Sequence, residues 1–377
     1  MILERKKTTE IRLKKEIKKI VREAYKKDVF SASCIAYSTI GDDYNRNEIC
    51  VFGYTNRFDL ALKVKKKTYF DLASLTKPLV TALSIASLVE EGKISLEENL
   101  ADCCNWNLPE DKKEITIAQL LSHSSGLPAH RPYYRELFYI PQNRKNKQLK
   151  TWILGEKLCF KPGVDNLYSD LGFLLLGFII EEKTGLSLDI YWKEKIAIPL
   201  KLQEGLLFTK NKQLDLSLCA VTDNCLSSDK MICGVVHDEN CRAMGGVGGH
   251  AGLFGTAPDL LSFCEHLIKQ YKGREEHPSY SSGLLRKLMT RFENSNWAYG
   301  FDSPTEGISS SGMFFGEGSR GHLGFTGTSF WIDFEKEISI VVLTNRVHLS
   351  SDLNGIKNFR PRIHNAIMRS LLKINLR

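Results

Sequence analysis

Apolar positions along the chain fall into helical and strand periods that alternate with turn-forming residues. In residues 10–26, Ile11, Ile17, Ile20, Val21 and Ala24 recur near helical spacing with Lys and Arg between them, which predicts a basic amphipathic helix. Packing of its apolar face on a sheet is the favoured reading; lying on an anionic membrane surface is the alternative for residues 1–27. Val29 to Ser38 and Glu48 to Tyr54 read as strands of a hairpin, joined by a Gly-Asp-Asp-Tyr-Asn-Arg-Asn loop. Leu75, Leu79, Ala82, Leu83, Ala86 and Val89 then cover overlapping faces of one apolar helix running to about Glu91. Pro78 pins its start beside Ser74 and Gly92 ends it. Ser95 with Glu98, and Thr116 with Gln119, have capping-box spacing and predict further helix starts.

Residues 129–160 have weak periodicity and suit a lid or cleft wall. Leu171 to Lys183 is a strongly apolar helix stopped by Gly185, with Tyr168-Ser169-Asp170 at its start. A glycine-dense stretch from Val235 implies close backbone approach before a helix capped at Thr256. Ser329 to Phe334 and Ile338 to Thr344 form a hairpin of a central antiparallel pair, and Pro361 to Leu372 closes the chain as a helix. A helical middle between sheet-forming ends predicts one domain inserted in another. Residues 1–80 and 240–377 form the sheet domain, and residues 81–239 the mainly helical one.

With 377 residues, 42% hydrophobic and 25% charged, the composition is that of a folded globular protein. The net charge of +8 is concentrated in basic runs without zinc-finger spacing or interleaved aromatics, so solvated faces rather than nucleic acid are expected. The ten cysteines include no C-x-x-C, which predicts free thiols in a reducing compartment. No secretory signal is evident, which points to the cytoplasm, or to the periplasm if an export signal was removed. The longest apolar run, Leu171 to Ile180, is too short to span a bilayer. Neither a metal nor a cofactor is expected: His237, Asp238 and Glu239 are adjacent in sequence, and three adjacent side chains rarely converge on one ion.

Ser74 and Lys77, three apart on one helix face, suit an activated nucleophile, although Ser74 also fits a helix cap. His123, in His-Ser-Ser-Gly-Leu-Pro, reads as structural. Three ordered elements raise the catalytic reading of Ser74: Ser74-Leu75-Thr76-Lys77, Tyr168-Ser169-Asp170 and His322-Leu323-Gly324. With them, and with ITIAQLLSHSSGLP, KPGVDNLYSDLGFLLLGFIIEEKTG and GGHAGLFGTAPDLLSF between them, the chain resembles the serine β-lactamase and penicillin-binding-protein superfamily from about residue 12 to 372. The nearest likeness is to class C β-lactamase-like serine hydrolases.

The resemblance implies an α+β fold: an antiparallel sheet flanked by helices, an inserted all-helical domain, and an active site in the cleft between. It implies that Ser74 forms an acyl-enzyme and that Lys77 stabilises its alkoxide or takes its proton. It also implies that Tyr168 does acid–base work with a pKa lowered by nearby cations, and that the Ser74 and Phe325 N–H groups bind the oxyanion. Two positions depart from the common pattern. Asp170 stands where asparagine is common and is placed to pair with Lys77. His322 and Leu323 replace a lysine and a threonine, removing a fixed charge suited to a substrate carboxylate. Esterase or peptidase action on a smaller acyl group is therefore favoured over β-lactam hydrolysis. A D-Ala-type peptidase, a penicillin-binding protein and a catalytically silent binding protein are the alternatives.

Overall fold

The computed structural model describes residues 2–41, 46–57, 61–211, 214–225, 230–349 and 352–372. Strands from both ends of the chain build its main sheet: β1 (Ala32–Thr39), β2 (Arg46–Gly53), β8 (Arg320–Leu323), β9 (Ser329–Asp333) and β10 (Ile338–Thr344). The order is β2-β1-β10-β9-β8, antiparallel throughout. Ser33 pairs with Thr344 at one end of the central ladder and Thr39 with Ile338 at the other.

Side chains alternate across this sheet, so Cys34, Ala36, Val341 and Leu343 enter one core while Ile35, Tyr37, Ile340 and Val342 enter another. Both faces are buried, which is why β10 reads as a continuous apolar run. The helix Ala257–Tyr271 packs on the first face. On the second, the N-terminal helix Ile2–Lys26 buries Ile17, Ile20, Val21 and Ala24 beside the C-terminal helix Asn354–Leu371. The apolar face proposed for a membrane surface is therefore covered by protein at Ile17, Ile20, Val21 and Ala24, while Ile11 near its start is exposed. Among the described residues, no helix is long and apolar enough to cross a membrane.

Between β2 and β8 lie most of the helices and two smaller sheets. One has the order β3-β7-β4, from β3 (Phe70–Asp71), β4 (Leu206–Phe208) and β7 (Leu253–Gly255); the other pairs β5 (Val221–Cys225) with β6 (Lys230–Cys233). The Thr116–Gln119 capping box is present, whereas the helix expected after Ser95 starts at Leu100. The Ser95 N–H does meet the Glu98 carboxylate at 2.9 Å, but Asn99 supplies the cap. The last helix begins at Asn354, not Pro361, so Pro361 lies inside it and leaves the Lys357 carbonyl without its helical N–H.

The segment after Ser74 also differs from one regular helix. A short 3₁₀ turn, Ala73–Leu75, is followed by a wide turn, Lys77–Ala82, and then an α-helix, Leu83–Glu90. The Trp192 indole N–H takes the Leu79 carbonyl at 2.9 Å, and the Leu83 N–H goes to Val80 instead. A side chain inserted in the helical ladder thus loosens the turn directly after Lys77.

Candidate active site

Ser74 is held by the strand that precedes it. Ala73 has φ +49°, a left-handed conformation uncommon for a residue with a Cβ. Its N–H donates to Asp71 Oδ1 at 2.8 Å and its carbonyl accepts from Thr76 Oγ1 at 2.6 Å. Asp71 Oδ2 in turn accepts the His237 N–H at 2.7 Å, and burial raises the pKa of this carboxyl. Backbone strain sustained by such over-determined bonding is a feature of functional sites. Ser74 does not cap a helix; its hydroxyl accepts from Lys77 Nζ at 3.0 Å.

Lys77 is fully buried and donates to Asp170 Oδ1 at 2.7 Å and to the His250 carbonyl at 3.2 Å as well. Burial disfavours its charge, but Asp170 and then Tyr168 more than offset this, and its pKa is raised. Burial likewise opposes ionisation of Asp170, yet Lys77 and then His130, 3.5 Å from Asp170 Oδ2, hold that carboxyl far below the usual range. Lys77 and Asp170 therefore form an ion pair across the neutral range.

The Tyr168 ring lies 4.7 Å from Lys77 Nζ, with its hydroxyl against Lys77 and Ser74. The resemblance implied a lowered phenol pKa. Burial instead raises it, outweighing the Lys77 charge, so Tyr168 is a neutral phenol in the resting site. His322 adds no second cation beside it, because burial and Lys77 depress its pKa to about 3. His322 Nδ1 lies 2.8 Å from the Leu323 carbonyl, which can only accept. The imidazole is thus Nδ1-protonated, and its buried Nε2 is an acceptor without a partner among the described residues.

A cavity of about 910 Å³ brings together Ser74, Tyr168, Asp170, His322, Gly324 and Phe325, with Lys77 beneath its floor. All seven residues singled out in the sequence therefore meet here. The Ser74 and Phe325 N–H groups have no acceptor among the described residues. Gly324 is required by crowding: a Cβ there would lie 2.0 Å from Thr328 Oγ1 and 2.7 Å from the Leu72 carbonyl. Thr328 Oγ1 donates to that carbonyl at 3.1 Å, and Thr326 Oγ1 to the Asp71 carbonyl at 2.7 Å. The turn carrying Phe325 is thereby bonded to the two residues that lead into Ala73 and Ser74.

Several contributors lacked a local sequence signal. His250 offers its carbonyl to Lys77 while its ring Nε2 meets Asp238 at 2.9 Å. Asp302 lines the cavity, and burial raises its carboxyl to about 7. His123 stays structural: Nδ1 accepts the Ser169 N–H at 3.0 Å, its ring sits among Tyr168, Phe173 and Trp297, and burial holds its pKa well down. His237, Asp238 and Glu239 do not converge, and no group among the described residues has the arrangement of a metal site.

Residues 43–358 match the model of the Beta-lactamase family. The chain is 29% identical over 329 residues to an N-acetylmuramyl-L-alanine amidase of Bacillus subtilis (strain 168), covering 79% of this chain and 74% of the relative. It is 30% identical over 310 residues to a putative D-alanyl-D-alanine carboxypeptidase of Escherichia coli (strain K12), covering 76% and 71%. Among solved structures, the octameric penicillin-binding protein homologue from Pyrococcus abyssi superposes with a TM-score of 0.71 at 24% identity, over 95% of this chain and 77% of that one.

Proposed function

From the premise that the chain belongs to the Beta-lactamase family and is a serine hydrolase of it, we propose that Ser74 is the nucleophile and that Lys77 and Tyr168 activate it. The observation that carries this reading is the chain of contacts from Ser74 Oγ through Lys77 Nζ to Asp170, at 3.0 and 2.7 Å. Because Asp170 keeps Lys77 charged, Lys77 stabilises the forming alkoxide rather than accepting its proton. Neutral Tyr168 then relays: its oxygen takes the Ser74 proton as its own proton passes to the leaving group. Ser74 Oγ bonds to the acyl carbon, the bond to the leaving group breaks, and water later resolves the acyl-enzyme. The N–H groups of Ser74 and Phe325 are placed as oxyanion donors in this reading.

His322 supports a choice of substrate. A neutral ring presenting Nε2 as an acceptor suits an ester or amide that brings a hydrogen-bond donor, and offers no fixed charge to a carboxylate. A second reading, a D-Ala-type peptidase, takes support from the name of the Escherichia coli relative and from Lys357, an exposed cation at the cavity edge. The division into residues 1–80 with 240–377 and residues 81–239 takes support from the main sheet, whose strands come from 32–53 and 320–344. The nine cysteines whose side chains are described are free, which supports a reducing compartment.

Turnover of short acyl esters, a D-Ala-D-Ala-terminated peptide and a penicillin by wild type and Ser74→Ala separates these readings. Hydrolysis of at least one class that vanishes in Ser74→Ala is expected; equal rates in both proteins would overturn the assignment and favour a silent binding protein.

A further inference from the structure

Arg360, on the helix Asn354–Leu371, is only 5% exposed and has no carboxylate partner among the described residues. Burial, with Arg346 nearby, lowers its pKa to about 9, so it remains a cation at neutral pH. An uncompensated buried charge is costly and calls for a physical reason. Its charge is spent on backbone: Nη2 donates to the carbonyls of Gly324 and Thr328, both at 2.7 Å. That turn is already closed without it, by Gly324 N–H to Thr328 O at 2.7 Å and Gly327 N–H to Gly324 O at 3.0 Å.

The Gly324 carbonyl belongs to the same planar amide as the Phe325 N–H. Amide resonance links the two ends, so a cation that draws electron density onto the oxygen makes the N–H a stronger donor. We propose that Arg360 is a positioning residue that fixes and polarises the Gly324–Phe325 amide, so that the Phe325 N–H stabilises the oxyanion of the acyl-transfer transition state. This rests on the reading above that places that N–H in the oxyanion hole. The next carbonyl, of Phe325, accepts Arg346 Nε at 3.1 Å, so the amides on both sides of Phe325 are clamped by guanidinium groups. Arg360 touches no reacting atom in this account.

The test compares wild type, Arg360→Lys and Arg360→Gln on a neutral acyl ester and on the same ester bearing a carboxylate, with thermal melts to confirm folding. In Arg360→Gln, kcat should fall about tenfold to a hundredfold, less than the loss of an oxyanion donor costs, with KM little changed on both esters. Inactivation by a phosphonate, which forms a tetrahedral adduct, should slow by the same factor, and Arg360→Lys should recover part of the rate. Added guanidinium should also raise the rate of Arg360→Gly. Unchanged kcat in a folded Arg360→Gln, or a KM effect confined to the carboxylate ester, would overturn the proposal; the second result would make Arg360 a substrate-anion contact. If wild type is not acylated at Ser74 by the phosphonate, the underlying assignment fails instead, whatever the Arg360 variants do.

Discussion

The two walls of the cleft work by different chemistry. On the helical wall, Ser74, Lys77, Tyr168 and Asp170 would act through side chains in the proposed mechanism, and Lys77 and Asp170 form an ion pair there. On the sheet wall, His322 is neutral and Phe325 would act through its backbone, while Arg346 and Arg360, the latter itself lining the cavity, donate to backbone carbonyls. In the proposed mechanism one wall would carry the reacting groups, and the other would offer oriented dipoles that need no reorganisation as charge develops. Substitutions should therefore change the pH dependence on the first wall and transition-state stabilisation on the second.

Lys77→Ala should have the largest effect. It removes the only cation bonded to Ser74 among the described residues and leaves Asp170 in a mostly buried site beside the more exposed His130. Acylation should slow by about a thousandfold, and stability should fall by roughly 3 kcal/mol, read by stopped-flow acylation and denaturant melts. A small loss would mean that the helical wall does not set the chemistry.

Gly324→Ala asks the same of the sheet wall. The new methyl has Thr328 Oγ1 and the Leu72 carbonyl in its place, so the turn must move and carry Phe325 with it. A fall of roughly a hundredfold in kcat with about 2 kcal/mol of destabilisation is expected, and wild-type kcat would remove Phe325 from the oxyanion hole.

Asp170→Asn tests the sign of the electrostatics. Asp170 raises the Lys77 pKa, so its neutralisation should let Lys77 lose its proton at lower pH. If the cation is the active form, the alkaline limb of kcat/KM moves toward lower pH; an unmoved limb would separate the ion pair from the rate. The smallest effect belongs to His322→Lys, which replaces an imidazole neutral above a pKa of about 3 with a charge. Preference for a carboxylate-bearing ester over its neutral counterpart should rise by roughly tenfold, measured as a ratio of kcat/KM.

The same contrast decides what the sequence reveals. Ser74 and Lys77 are marked by S-x-x-K, and with Tyr168 and Asp170 they become candidates once the three ordered motifs carry the family resemblance, because side-chain chemistry demands particular residue types. Phe325 enters only through family resemblance, since a backbone donor imposes no residue type, and Arg360 does not emerge because its partner is a carbonyl 36 residues away. The main sheet is legible in the alternation and apolar runs of β1, β9 and β10. The two-residue strand β3, which leads into Ser74, is too short to show a period. Trp192 likewise loosens the turn after Lys77 through a contact 113 residues distant, which no local pattern records. The direction of the Tyr168 pKa depends on how deeply that phenol is buried, a property of the assembled cleft.

The most direct test of the central claim is the intact mass of the protein after brief incubation with a phosphonate and with a panel of acyl esters, followed by peptide mapping. A single adduct on Ser74, absent from Ser74→Ala and much slower to form in Lys77→Ala, is the predicted result. An adduct on another residue, or one that forms equally fast without the Ser74 hydroxyl, would contradict it.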